Sequence, residues 1–216
     1  MRRFSKDVDV LRIHSGAFAE SMGLPVLCRG DGGTITGTSL VASGANFLAA
    51  GVTTGNVIWL RSGDGKIDDA FEVVERISAT ELTISVIRGD DEAPAVGPGD
   101  ATAVSYRVPT LEAKGRDAAY FLTQYFGIQP GFADAESGEE QIVDDDPVRM
   151  AEVYSILADV YGCRAVAGSP DDWDKAEYFR RMYERARERC RLWIDGDEDG
   201  QGDTVTDGGS MRLRRE

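Results

Sequence analysis

The sequence is poor in the residues that build metal centres, disulfide frameworks and active sites. It has one histidine, His14, and three cysteines, Cys28, Cys163 and Cys190, with no C-x-x-C pair. An odd number of widely spaced cysteines argues against a disulfide framework or a zinc site and favours reduced thiols. No G-x-S-x-G motif surrounds any serine, so a catalytic triad has no sequence support. We therefore predict that the chain is not an enzyme and assign no catalytic residue.

Long apolar runs and a basic excess are also missing. No apolar stretch approaches the ~20 residues that a membrane span needs, and the first residues lack the apolar stretch of a signal peptide. The 216 residues carry 24 Lys and Arg against 38 Asp and Glu, a net charge of −14. Because nucleic acids and anionic membranes attract basic surfaces, charge-driven binding to either is disfavoured.

The N-terminal half has the period-two pattern of short strands. Asp7–Ile13 alternates and predicts a strand, and Thr34–Leu40 predicts a strand pair or a bent strand. Further strands are predicted at Asn56–Arg61, Ala70–Ile77, Glu81–Ile87 and Ala101–Val108. Glycine and aspartate turns join them, which favours a small β-barrel or sandwich. Gly44–Val52 is predicted to plug that barrel, and the glycine-rich Arg29–Gly33 is interpreted as a turn because it lacks the lysine of a phosphate loop.

The C-terminal half has helical spacing. Helices are predicted at Leu111–Phe126, Pro147–Tyr161 and Asp171–Trp193. Residues 129–146 contain seven acids and no Lys or Arg, which indicates a solvated linker or loop. We therefore predict an α+β protein, an α-helical bundle with an inserted small β-barrel or sandwich domain and an extended C-terminal arm. The expected division is an N-terminal segment 1–24, a β insertion domain 25–108, a helical bundle 109–194 and the arm 195–216.

One short motif suggests a cation. Asp195, Asp197 and Asp199 alternate and are followed by Gly200, as in the first half of a calcium loop, where carboxylates converge on the ion. The twelfth position is Thr206 rather than a bidentate glutamate, so an acidic turn is the competing interpretation. Calcium on these three aspartates is the only cofactor that the sequence suggests.

The last predicted helix carries a row of arginines. This face is either solvated and salt-bridged or a subunit contact that pairs with acids of a neighbouring copy. Trp193 and Trp173 lie near the two ends of the helix, where they serve either as core anchors or as interface residues. We predict that the subunit interface comprises Arg180, Arg181, Arg185, Arg187 and Trp193.

The C-terminal half resembles the head–tail connector (adaptor or head-completion) proteins of tailed bacteriophages. The resemblance rests on the two helices Pro147–Tyr161 and Asp171–Trp193, on the helix exit Leu192–Asp197, and on the closing residues Met211–Arg215. It implies a ring, commonly of twelve copies, beneath the portal protein, with a C-terminal arm that inserts between portal subunits. The portal-binding residues that it implies are Met211, Arg212, Leu213, Arg214 and Arg215.

The N-terminal half resembles β modules of phage virion proteins, on the segments Gly33–Thr38, Ser43–Phe47, Ala50–Leu60 and Ala79–Ile84. Together the resemblances imply a structural virion protein at the portal vertex, made in the host cytoplasm. Its partners would be the portal, tail or stopper and nozzle proteins and other copies of itself, with DNA only passing through the channel and no membrane contact. A tail terminator or stopper ring protein and a calcium-dependent binding module are the alternatives.

Overall fold

The computed structural model describes residues 2–128, 139–195, 199–202 and 204–207. They form two compact units, one of residues 6–111 and the other of the described residues within 2–5 and 112–207. The helices are α1 (Asp7–Ile13), α2 (Glu112–Tyr125), α3 (Asp146–Val166) and α4 (Asp172–Arg189). The strands are β1 (Val26–Thr36), β2 (Ser39–Val41), β3 (Val57–Arg61), β4 (Asp68–Arg76), β5 (Glu81–Ser85), β6 (Ala101–Pro109), β7 (Arg191–Ile194) and β8 (Thr204–Asp207). Short 3₁₀ turns lie at Ser15–Phe18, Glu20–Met22 and Glu139–Gln141.

Residues 6–111 contain a closed antiparallel barrel of six strands in the order β1-β2-β5-β4-β3-β6, with β6 pairing back to β1. Alternate side chains of each strand point inward, so Leu82 and Ile84 of β5 are buried. Phe47 is fully buried among them, with its ring centroid 5.5 Å from that of Tyr106. The prediction that Gly44–Val52 plugs the barrel is confirmed, because Phe47 and Val52 belong to the barrel core.

The other unit packs α2, α3 and α4 with β7 around a core that includes Leu122, Ala151 and Leu192. Its N-terminal residues are held by Glu152 of α3, whose side chain is fully buried. The Glu152 carboxylate accepts hydrogen bonds from the backbone N of Phe4 at 2.6 Å and from Ser5 Oγ at 2.8 Å. Phe4 itself enters the apolar core.

The predicted α-helical bundle with an inserted barrel is wrong. The structure is α+β with four helices and a closed six-stranded antiparallel barrel, but the helices do not form one bundle around that barrel. Helix α1 belongs to the barrel unit, where its Val8 N donates to Gly55 O at 2.9 Å and Arg12 pairs with the buried Glu72. The remaining three helices share their unit with the β7–β8 hairpin.

The strand predicted at Asp7–Ile13 is also wrong, because these residues form α1. Val8, Val10 and Leu11 are all buried, and their spacing fits one side of a helix as well as it fits a strand. The backbone N of Lys6 donates to Asp9 Oδ2 at 2.7 Å, which caps the first turn. This local bond favours the helix.

The C-terminal end differs from the prediction in two ways. Helix α4 ends at Arg189 rather than at Trp193, since Cys190 has an extended backbone and Arg191–Ile194 forms β7. An arm extended from residue 195 onward is wrong for Thr204–Asp207, which pair with β7 as β8. The hairpin satisfies backbone groups that an extended arm leaves to solvent. The residues from 208 onward, including the predicted Met211–Arg215, lie outside the described part.

None of the described helices is long and apolar enough to cross a membrane.

Candidate interaction site

Helices α3 and α4 are joined by a turn that is fixed by one carboxylate. Asp172 accepts hydrogen bonds from Ser169 Oγ at 2.7 Å, Arg164 Nε at 2.8 Å and Lys175 Nζ at 3.2 Å. These donors, Ser169 first, lower the pKa of Asp172 to about 2. Beyond the turn, the ring of Phe179 stacks on that of Tyr161, with centroids 5.9 Å apart. The two helices therefore make a stiff pair.

One side of this helix pair has an open groove of ≈ 650 Å³, which we call the α3–α4 groove. Its residues share an i, i+3, i+4, i+7 spacing, which puts them on one face of each helix. Apolar side chains dominate the floor, and two of them are conspicuously open to solvent, Val166 at 76% and Trp173 at 46% exposure. The lining comprises Ser155, Ala158, Asp159, Gly162, Cys163 and Val166 of α3, with Trp173, Arg180, Tyr183, Glu184 and Arg187 of α4.

Charged groups surround the apolar floor. The Arg187 guanidinium lies 4.3 Å from the ring centroid of Tyr125 and 5.0 Å from that of Tyr183, in cation–π geometry. Its buried Nε has no hydrogen-bond partner within the described residues. Glu184 has no cationic partner in the same part of the chain. An apolar groove with unsatisfied charge at its rim is typical of a surface that another protein covers.

Lys114 and Cys163 meet at the edge of the groove. The Lys114 ammonium pairs with Asp159, and its Nζ lies 3.7 Å from Cys163 Sγ. Cys163 is the exposed cysteine of the three. This contact ties α2 to α3 and places a thiol at the groove where a reagent can reach it.

The structure separates the predicted interface residues into groups. Arg180 and Arg187 line the α3–α4 groove together. Arg181 and Arg185 lie on another side of α4, where Arg181 Nε donates to Glu177 O at 3.3 Å and Arg185 is exposed. Trp193 is on β7 and is 47% exposed. The arginines that form one row in the sequence therefore lie on two different faces of α4.

The groove also contains residues that the sequence-based prediction left out of the interface. The sequence-based interface included no residue of α3, so Ala158, Gly162 and Val166 were all missing from it. The spacing Ala158–Gly162–Val166 is a signal that was present, because small residues four apart leave a shallow trough along a helix. Nothing in the sequence says which helix face remains uncovered.

Two of the three predicted calcium ligands are described. Asp195 Oδ1 accepts from Asp199 N at 3.2 Å, and Asp195 Oδ2 accepts from Gly200 N at 2.7 Å. The Asp195 carboxylate is thus occupied by two backbone N–H groups, while Asp197 lies outside the described residues. Within the described ranges, no group of three or more metal-ligating side chains is gathered. Calcium at Asp195, Asp197 and Asp199 stays a prediction.

No protein-family model, no curated protein and no solved structure matches this chain.

Proposed function

We propose that this chain is a structural subunit of the neck of a tailed bacteriophage, a head-to-tail adaptor. In this role it forms a ring under the portal, which extends the DNA channel toward the tail. The observation that carries the proposal is the α3–α4 groove, an apolar surface of a stiff helix pair with arginines at its rim. Exposed apolar surface of this extent is typical of protein contacts. The resemblance of the two helices and of the closing residues to connector proteins suggests that this contact joins copies of the chain in a ring.

The charge balance supports the same role. A ring that surrounds a DNA channel must let phosphates slide past without binding them. The net charge of −14 makes the surface repel phosphate on average. DNA therefore passes through the ring and is not a ligand in this proposal, and the protein resides at the portal vertex of the virion.

Portal docking is assigned to Met211, Arg212, Leu213, Arg214 and Arg215, on the resemblance alone. Arginine guanidinium groups pair well with carboxylates on a partner surface. Each such contact is weak, but the copies of a ring act together, and multivalency raises their combined affinity. Tail or stopper proteins would contact the opposite side of the ring.

The test mixes the full chain with the purified portal protein of the same virus and images the product by electron microscopy. We expect rings on the portal. Deleting residues 211–216 should abolish docking, and this deletion leaves the β7–β8 pairing of residues 204–207 in place. Val166→Asp should disrupt the ring by placing a charge in the groove, whereas Leu48→Asp, at a 59% exposed leucine of the barrel unit, should not.

Each outcome distinguishes the alternatives. If the chain forms rings that ignore the deletion of residues 211–216, it is a tail terminator or stopper instead. If full-length chain and portal do not associate at micromolar concentration, the adaptor proposal is wrong. Calorimetric binding of calcium that Asp197→Ala removes would favour the calcium-dependent binding module.

A further inference from the structure

The outer face of the barrel brings together two arginines and a tryptophan that are far apart in the sequence. Arg107 of β6 lies directly opposite Arg29 of β1 on one side and Trp59 of β3 on the other. Residues opposite each other on neighbouring strands point to the same face of a sheet. Their strand neighbours Tyr106 and Leu60 are buried, so the three side chains face outward.

This arrangement carries positive charge that the barrel does not neutralise by direct contact. Like charges directly opposite on neighbouring strands are destabilising. Arg107 donates to Phe18 O at 2.6 Å and lies 5.1 Å from the Trp59 ring centroid, but no ion pair joins it to a carboxylate among the described residues. The Arg29 side chain is exposed and has neither a hydrogen bond nor an ion pair in the same ranges. The nearby Arg61, by contrast, forms an ion pair with Asp68, with its Nε 3.1 Å from Asp68 Oδ2.

Burial lowers the pKa of Arg107, and the charge of Arg61 adds to that effect, while Glu20 and Asp68 oppose it. A carboxylate in contact with the guanidinium would stabilise the charged form of Arg107. There is room for such a carboxylate, because Arg29, Trp59 and Arg107 line an open cleft of ≈ 500 Å³. We call it the arginine cleft. The acids Glu20 and Asp31 line it too.

Those two acids decide which kind of anion fits. They repel a polyphosphate chain, which is charged at every unit and needs a continuous basic track. A protein segment that exposes a few acidic side chains together with an apolar one matches the cleft better. Guanidinium forks then meet carboxylates, and the indole of Trp59 meets an apolar side chain.

The chain has such a segment in its helical unit. Residues 140–144 run beside β7, with Val143 N donating to Trp193 O at 3.2 Å and Asp195 N donating to Gln141 O at 2.9 Å. Glu140, Val143 and Asp144 are exposed on this acidic edge. The carboxylate of Glu140 has no partner among the described residues.

We infer that the arginine cleft of one copy binds the acidic edge, residues 140–144, of a second copy. The inference rests on the proposed function in one respect, namely that copies of this chain assemble. It adds the contact that orients neighbours, with Arg29 and Arg107 facing Glu140 and Asp144. The contact joins two different surfaces, so it propagates from copy to copy as a ring requires.

The test titrates the full chain with a capped peptide of residues 139–147 and follows the Trp59 indole N–H signal by NMR. We expect saturable binding that moves this signal. Arg29→Gln should weaken binding about fivefold, and Arg107→Gln by at least as much. Lys66→Gln removes the same charge from an exposed barrel position and is the control that should change nothing. Because the exposed Arg29 side chain makes no hydrogen bond or ion pair in the described ranges, we expect its variant to fold like the natural chain.

Three results of the peptide titration would overturn the inference. They are no shift of the Trp59 signal at millimolar peptide, equal binding by a peptide whose acids are replaced by their amides, and equal binding by the Arg29→Gln chain. Competition by a single-stranded oligothymidylate would assign the cleft to nucleic acid and would equally overturn it. Portal docking through residues 211–216 is measured separately, so a failed peptide titration with intact docking rejects the contact and not the adaptor role.

Discussion

Replacing Glu152 with alanine should destabilise the helical unit more than any exposed substitution in it. The carboxylate is fully buried and is the acceptor for Phe4 N and for Ser5 Oγ. Alanine leaves these two buried donors without that acceptor, and each unsatisfied group costs about 1–3 kcal/mol. Because the serine hydroxyl can rotate to another acceptor, we expect a total loss of about 3 kcal/mol in the free energy of unfolding.

Glutamine at position 152 is the informative comparison. Its carbonyl oxygen can accept from Phe4 N and its amide can donate to Ser5 Oγ, so both contacts persist. Arg3, whose Nε lies 3.5 Å from the Glu152 carboxylate, loses that charged partner, but its Nη1 also pairs with Glu112. We expect Glu152→Gln to stay within about 1 kcal/mol of the natural chain in either direction.

The assay is urea unfolding at pH 7, followed by the helical circular dichroism at 222 nm. Glu140→Ala, at an exposed carboxylate, is the matched control and should leave the midpoint unchanged. The reasoning is refuted if Glu152→Ala unfolds at the same urea concentration as the control, or if glutamine is as harmful as alanine.

The same residue predicts a pH dependence. Burial raises the pKa of Glu152, against hydrogen bonds from Ser5, Phe4 and Arg3. The folded chain therefore keeps this proton at pH values where the unfolded chain has lost it. Its contribution to stability is complete below the unfolded pKa of about 4.3 and is lost as the pH rises through the raised folded pKa. Glu152→Gln should remove this part of the pH profile.

Three further predictions concern other parts of the chain. Gly97→Ala should lower the stability of the barrel unit by about 2 kcal/mol, because its Cβ would collide with a backbone carbonyl, while Gly89→Ala meets nothing and is the control in the same urea titration. The pKa of Asp172, lowered to about 2, means that its stabilising effect is present above about pH 3.9 and is lost as the pH falls toward 2. Asp172→Asn should flatten that acid loss in thermal unfolding, and an unchanged slope would contradict the assigned partners. Maleimide at neutral pH should modify the exposed Cys163 first, since burial shields Cys190 and raises its pKa, and mass spectrometry that finds both labelled equally would refute this.

The alternation of apolar and polar residues predicted those strands that have one buried face and one more exposed face. β3 and β5 were found nearly in place because Leu60 and Leu82 alternate with exposed or half-buried residues. The middle of β1, Arg29–Gly33, was interpreted as a turn, since Gly30 and Gly33 are turn residues in most contexts. Register shifts between these two glycines let β1 continue through them. Only the pairing partner β6, some seventy residues away, makes this segment a strand.

The ends of elements and the sites depended on contacts between distant residues. Apolar residues continue to Trp193 with helical spacing, but β8 captures Arg191–Ile194 as a strand. On α4 the 3.6-residue period already separates Arg180 from Arg181, yet only the packing of α3 shows which of them lines a groove. Arg29 and Arg107 meet through strand register, for which the sequence contains no local signal.

The closed barrel determines how anything can recognise it. Every strand from β1 to β6 has two hydrogen-bonded neighbours, so the barrel has no edge strand with which a strand of another protein can pair. Recognition of the barrel must therefore depend on side chains that project from a fixed backbone frame. Partner choice can then change by surface substitution alone, one residue at a time, while the scaffold beneath keeps its register.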